Sequence, residues 1–183
     1  MLLVGKNIRL RPLESEEDLR YLLSSFNDHE ANGNYTRFEP RSWDEFQKFL
    51  KEASGPPAQM TIFLIEKIEE KKPIGSIAHF FASPYYKNME IGYGIDKPSD
   101  RRRGYGFESV RLMLEYLFLT RNLERIQATT SVENLPSQSL LEKAGFKKEG
   151  VLRSADFVNG RYVDIIVYSM LRGEWTSTHL GPS

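Results

Sequence analysis

The 183-residue chain has no cysteine. Disulfides, thiolate nucleophiles, iron–sulfur clusters and thiolate zinc sites are excluded together, so any catalysis must come from oxygen, nitrogen or backbone groups. Excess charge of one sign is also missing, because 25 Lys plus Arg balance 25 Asp plus Glu. No global field attracts nucleic acid or an anionic membrane surface, so neither is an expected partner and any anion site must be local. Long apolar runs are absent as well. Residues 62–65 and 165–167 are strand-sized, far short of the roughly 20 residues that a bilayer span needs. Residues 1–4 are followed by Gly5-Lys6-Asn7, too short for the apolar stretch of a secretory signal, so a cytoplasmic, reducing location is expected. Histidine is scarce. His29 and His179 fall into no metal-ligand spacing, so no metal is expected, and His79 inside a strand pattern reads as structural.

What is present is ordinary globular composition, 40% apolar and 27% charged, in a chain long enough for one domain with its own core. No repeat or low-complexity block interrupts it, and Ser54-Gly55-Pro56-Pro57 reads as a loop rather than a linker. One domain over residues 1–175 is expected, followed by a small polar tail, 176–183, that frays. Ile8-Arg9-Leu10-Arg11-Pro12 reads as a first strand stopped by proline. Ser15 with Asp18, ahead of Leu19, Leu22, Leu23 and Phe26, signals a capped amphipathic helix. Ser42 with Glu45, ahead of Phe46, Phe49 and Leu50, signals a second. The period then becomes strand-like over residues 60–66, 74–81 and 89–95, which predicts an antiparallel meander. Val110, Met113, Leu114, Leu117 and Phe118 mark the clearest helix, starting near Gly104. Residues 126–132 read as a strand, 136–144 as a helix stopped by left-handed Gly145, and 163–170 as a final strand with an edge able to pair across a homodimer. The order β-α-α-β-β-β-α-β-α-β-β predicts an α+β fold: a mixed, mostly antiparallel sheet flanked by helices.

The segment that carries chemistry is Glu90-Ile91-Gly92-Tyr93-Gly94-Ile95, then Arg101-Arg102-Arg103-Gly104-Tyr105-Gly106 opening the strongest helix. Backbone N–H groups at such a turn, reinforced by the helix dipole, converge on one spot and bind an anion such as a pyrophosphate. Three arginines at the positive end of a helix are opposed by the dipole, and an anionic ligand would offset that. A P-loop requires Lys-Ser/Thr where Phe107-Glu108 stand, and a dinucleotide fingerprint requires a small residue that Ser109 only loosely supplies.

Arg101-x-x-Gly104-x-Gly106 resembles the Q/R-x-x-G-x-G/A acyl-CoA loop of the GNAT family of N-acetyltransferases. Glu90-Ile91-Gly92-Tyr93, Asn134-x-x-Ser137 and Leu141-Glu142-Lys143-Ala144-Gly145-Phe146 resemble its RimJ/RimL-like branch, which acetylates ribosomal-protein N-termini. The resemblance runs over about residues 8–175. It implies a sheet splayed open beside residues 89–95, with acetyl-CoA as acyl donor. It also implies that backbone groups of Tyr93, Gly94 and Ile95 hold the pantetheine, that Arg101, Arg102, Arg103, Gly104, Tyr105 and Gly106 hold the pyrophosphate, and that Asn134 contacts the CoA arm. Glu90 would be the general base and Ser137 the general acid, the latter because Leu141 stands where many members carry a tyrosine. The acceptor would be a primary amine: a peptide N-terminus, a polyamine, an aminosugar or an antibiotic amine. Tyr35, Phe38, Trp43, Phe80, Phe81, Tyr85 and Tyr86 could wall its cleft, with Glu30, Glu39 and Asp44 supplying negative charge. The competing readings are a noncatalytic acyl-CoA sensor, which Leu141 favours, and a plain helix-capping role for Asn134 and Ser137 beside Pro136.

Overall fold

The computed structural model describes residues 3–56, 59–82 and 88–179, with backbone only for 176–179. Strand β1 (Ile8–Pro12) leads into helices α1 (Glu16–Phe26), α2 (His29–Asn32) and α3 (Trp43–Ser54). The Ser15 hydroxyl accepts from the Asp18 amide, and Ser42 with Glu45 forms a reciprocal capping box, so both start signals act as the spacing predicts. Strands β2 (Thr61–Lys67), β3 (Lys72–Phe81) and β4 (Met89–Ile95) follow as an antiparallel meander. Helix α4 (Tyr105–Thr120), strand β5 (Arg125–Ser131), helix α5 (Leu135–Lys143), the hairpin β6 (Lys147–Val158) and β7 (Arg161–Leu171), and helix α6 (Arg172–His179) complete the chain. α6 occupies the start of the segment expected to fray, and residues 180–183 lie outside the described residues. Arg172 explains the docking of this end. Its guanidinium donates to the carbonyls of Phe118, Arg121 and Leu123 and so satisfies the C-terminal end of α4.

All strands join one sheet in the order β1-β2-β3-β4-β5-β7-β6. β7 pairs with β5 on one side and β6 on the other, so the expectation that residues 163–170 form a free edge is wrong. Hydrophobic alternation marks a strand with a buried face but does not tell which neighbour covers its backbone. The central event is the β4–β5 junction, the one parallel pairing among the described residues, which holds at Met89↔Ile126 and Glu90↔Gln127. Beyond Glu90 the two strands part. Every neighbouring pair elsewhere in the sheet runs antiparallel.

Strand alternation sorts the two faces. Met89 and Ile91 face the main core with Phe63, Ile65, Ile77 and the α4 residues Val110, Met113, Leu114 and Leu117. The opposite face packs Leu64 against Leu22 of α1 and Phe46 of α3. Glu90, Gly92 and Gly94, the alternate positions of β4, therefore belong to the α1/α3 side.

His79 lies on the α4 face, 1% exposed, between the rings of Phe63 and Tyr116. Neither ring nitrogen has a hydrogen-bond partner among the described residues, so the imidazole behaves as a core ring, as its strand position suggested. Burial, aided by Arg121, pushes it down to about 4. In the unfolded chain the ordinary value is 6.5, so the unfolded state binds the extra proton first. Stability from neutral His79 is complete above pH 6.5 and is lost as pH falls toward 4. Thermal unfolding is expected to show Tm dropping across that window, and His79→Phe is expected to flatten the slope and add about 1 kcal/mol at pH 7, because a buried polar group without partners is removed. An unchanged pH slope in His79→Phe would refute this assignment.

Candidate active site

The parting of β4 and β5 leaves a cleft, and Glu90 stands at its apex. One carboxylate oxygen accepts from Gln127 Nε2 at 2.8 Å and the other from Thr129 Oγ1 at 2.6 Å. Asn88 Nδ2 in turn donates to Gln127 Oε1 at 3.1 Å. The carboxylate is thus held by donors from β5, across the last paired rung, with both oxygens retaining further acceptor capacity. Outward from Glu90 on the same face come Gly92 and Gly94, and an added Cβ at either would meet nothing within 4 Å. A bare strip of backbone therefore leads from the carboxylate to the mouth of the cleft.

Tyr93 points to the other face, where its hydroxyl is 2.9 Å from Ser137 Oγ at the start of α5. This contact crosses the opening between β4 and the segment that follows β5. Burial drives the Tyr93 hydroxyl up to about 12, with the Ser137 contact acting in the opposite direction. Asn134, not Ser137, caps α5: Asn134 Oδ1 accepts from the Ser137 amide at 3.2 Å. The capping role thus belongs to Asn134, and the Ser137 hydroxyl meets Tyr93 instead.

At the mouth, α4 starts at Gly104, which has φ 87° and no side-chain cap. Only glycine takes that conformation without strain, and no atom lies within 4 Å of where a Cβ would sit. Gly106 serves packing instead: a Cβ there would be 3.1 Å from Leu140 Cδ1. The first-turn amides have no side-chain cap, and exposed Arg102 and Arg103 stand beside them; donors left open in this way suit an anion. Glu108 in the same turn accepts from the amides of Asn7 and Ile8 and from Asn7 Nδ2, tying the start of β1 to the helix. Arg101 departs from expectation. Its guanidinium turns inward and donates to the carbonyls of Ile95, Asp96, Glu30 and Ala31.

A cavity of about 580 Å³ brings together Tyr93, Gly94, Ile95, Arg101, Arg102, Gly104, Gly106, Asn134 and Ser137. Glu90, Arg103 and Tyr105 are outside its lining; Glu90 is at the apex, and the Tyr105 ring faces Lys67 and the core. Residues 31–36 and Lys143 line the same cavity. Apart from Tyr35, the sequence reading missed these, together with Gln127 and Thr129, since no local motif marks a residue that meets the site only through the fold. Of the aromatic residues expected around the acceptor, Tyr35 lines the cavity. Phe81 borders a separate space beside His79, Trp43 lies under Arg20, and Tyr85 and Tyr86 fall outside the described residues. Glu39 is engaged by Arg41 at 3.2 Å.

The mixed sheet, opened beside a glycine-rich helix start, is the arrangement that the sequence resemblance implied. Residues 7–147 match the family described as acetyltransferase (GNAT) domain, and the chain belongs to that family. It is 32% identical over 181 residues to the probable N-acetyltransferase YjcK of Bacillus subtilis, covering 93% of this chain and 97% of that protein. It is 37% identical over 117 residues to the uncharacterized N-acetyltransferase p20 of Bacillus licheniformis, covering 64% of this chain. That match spans 65% of p20, just under two thirds of its length. The crystal structure of spermidine N-acetyltransferase from Vibrio cholerae in complex with CoA and spermine superposes with a TM-score of 0.81 at 27% identity, covering 93% of this chain and 99% of that one.

Proposed function

We propose that the protein is an acetyl-CoA-dependent N-acetyltransferase that modifies a primary amine within a ternary complex. What supports this reading is the parting of β4 from β5 at Glu90, with the Tyr93–Ser137 contact across the opening and an uncapped helix start flanked by arginines at its mouth. The fit to acetyl-CoA rests on three features of the chain: open space above Gly92, Gly94 and Gly104, a β4 edge that, among the described residues, no strand covers beyond Glu90, and a cavity running from the glycine loop to Ser137. Acetyl-CoA supplies, when bound, an activated thioester carbonyl.

An amine with pKa about 8 to 10 is protonated near pH 7 and cannot attack until a proton is removed. Glu90 takes that proton, directly or through one water, from the α1/α3 face. Backbone amides on the β4 edge turned away from β3, where no β5 pairing is described beyond Glu90, stabilise the developing oxyanion. As the new C–N bond forms and the C–S bond breaks, Ser137 Oγ, held by the Tyr93 hydroxyl, gives a proton to the departing sulfur from the α4 face; water then reprotonates Ser137, and Glu90 releases its proton to solvent. Leu141, the residue that favours a noncatalytic sensor, is fully buried, so its identity answers to core packing rather than to the cleft.

Ser137→Ala is expected to lower kcat by about 10-fold, below the usual range for acid–base groups because a thiolate leaves readily. The unfolding free energy should stay within about 0.5 kcal/mol of wild type, since Asn134 retains the cap. Steady-state kinetics with thermal unfolding checks both. The test of the function is mass-resolved transfer from acetyl-CoA to a panel of peptides with free N-termini, polyamines, aminosugars and aminoglycosides. A gain of one acetyl group by one amine class supports the reading and names the acceptor; acetyl-CoA binding with no transfer to any class supports the sensor.

A further inference from the structure

Residues 27–41 leave α1 and return to α3 as one excursion whose base is closed reciprocally. Asn27 Nδ2 donates to the Arg41 carbonyl at 2.8 Å, and the Arg41 amide donates to Asn27 Oδ1 at 2.9 Å. The first part is α2, and residues 31–36 form one wall of the cavity. The far part crosses to the other arm of the splayed sheet. There Arg37 Nε meets Asp156 of β6 at 2.6 Å, and Asn159 Nδ2 donates to the Asn34 carbonyl at 3.4 Å. The excursion thus bridges the two arms that separate beyond Glu90.

Its third attachment is Arg101, the first arginine of the glycine loop. Arg101 Nε donates to the Ile95 carbonyl at 2.9 Å, and Nη2 donates to Asp96 at 2.6 Å, Glu30 at 2.8 Å and Ala31 at 3.2 Å. One planar guanidinium therefore clamps the end of β4 to the last carbonyls of α2. The carboxylate of Asp96 is itself held by Tyr21 and Ser25 of α1, so the β4 end of the clamp is rigid. Side-chain donors spent on carbonyls are not available to an anion, which separates Arg101 from exposed Arg102 and Arg103.

We propose that the excursion is a strap over the amine site and that Arg101 is its positioning residue, coupling occupancy of the glycine loop to the order of the strap. The proposal rests on the acetyltransferase reading of the cleft. An anion that draws together the amides after Arg101 fixes the loop from which the guanidinium projects, and so fixes the carbonyls of α2. Donor binding then prepares the wall against which the amine is placed, and linkage requires the reverse effect as well.

Hydrogen–deuterium exchange with and without saturating CoA tests this, on wild type, Arg101→Gln, Arg101→Lys and Arg102→Ala. In wild type, CoA is expected to slow exchange over residues 28–39 by about fivefold or more, the lower end of ordinary coupling. Arg101→Gln should still bind CoA but lose that protection ratio, whereas Arg102→Ala, once saturated, should keep it. Arg101→Lys retains charge without the fork and should behave as Arg101→Gln does, which preserves the test if the glutamine form does not fold. The ratio is the decisive readout, because a merely structural contact would raise exchange equally in both states. A wild-type ratio surviving in the Arg101 variants, or no CoA-dependent protection in wild type that binds CoA, overturns the coupling. Failure of wild type to bind CoA removes the donor reading and the coupling with it.

Discussion

Glu90→Gln is expected to lower kcat by about 100-fold or more while leaving acetyl-CoA affinity unchanged. The amide keeps the shape of the carboxylate and its place at the apex of the cleft, but it cannot take a proton from the amine. It can accept from only one of its two donors, Gln127 or Thr129, so a small loss of local order accompanies the loss of chemistry. The pH dependence separates the two. With the base removed, the residual rate should climb with pH as the free amine fraction grows, up to the amine's own pKa near 8 to 10. A variant with near wild-type kcat at pH 7 would remove Glu90 from the mechanism and leave it as a strand residue bonded across the sheet.

Gly75→Ala is expected to be the most damaging single-methyl change in the sheet. Gly75 on β3 lies opposite Ile95 of β4, and an added Cβ would fall 2.0 Å from the Gly94 carbonyl oxygen and 3.1 Å from Ile95 Cα. Those neighbours are backbone atoms and cannot rotate away, so β4 itself must shift. Overpacking of this kind costs about 2 kcal/mol or more, which corresponds to about 4–8 °C in Tm for a chain of this size. The displaced segment is the one that carries Tyr93, Gly94 and Ile95, so CoA affinity should fall together with stability. Thermal unfolding and calorimetric titration of the same preparation check both, and a variant with wild-type Tm and affinity would contradict this packing account.

Much of the site can be read locally. The bounds 89–95 coincide with β4, the capping residues Ser15 and Ser42 act as expected, and left-handed Gly145 ends α5. These features depend on neighbours within a few residues. The start of α4 at Gly104 was legible for the same reason, since a glycine ahead of a strong helical period is a local signal. What escaped depends on distant partners. The interior place of β7 is set by β5 and β6 together, the orientation of Glu90 by Gln127 and Thr129, and the inward turn of Arg101 by carbonyls about 70 residues away. Three adjacent arginines look alike in sequence, yet only the first finds such a set of carbonyls.

Calorimetric titration of acetyl-CoA into wild type, Arg102→Ala and Gly104→Val measures whether the cleft where β4 and β5 part, with the glycine loop at its mouth, holds acetyl-CoA. The expected result is one acetyl-CoA bound per chain, with affinity reduced about tenfold in Arg102→Ala, in line with loss of one charge-assisted contact, and more severely in Gly104→Val, where a β-branched side chain is forced to φ near 87°. Absence of binding to wild type at millimolar acetyl-CoA, or binding indifferent to both substitutions, would contradict it.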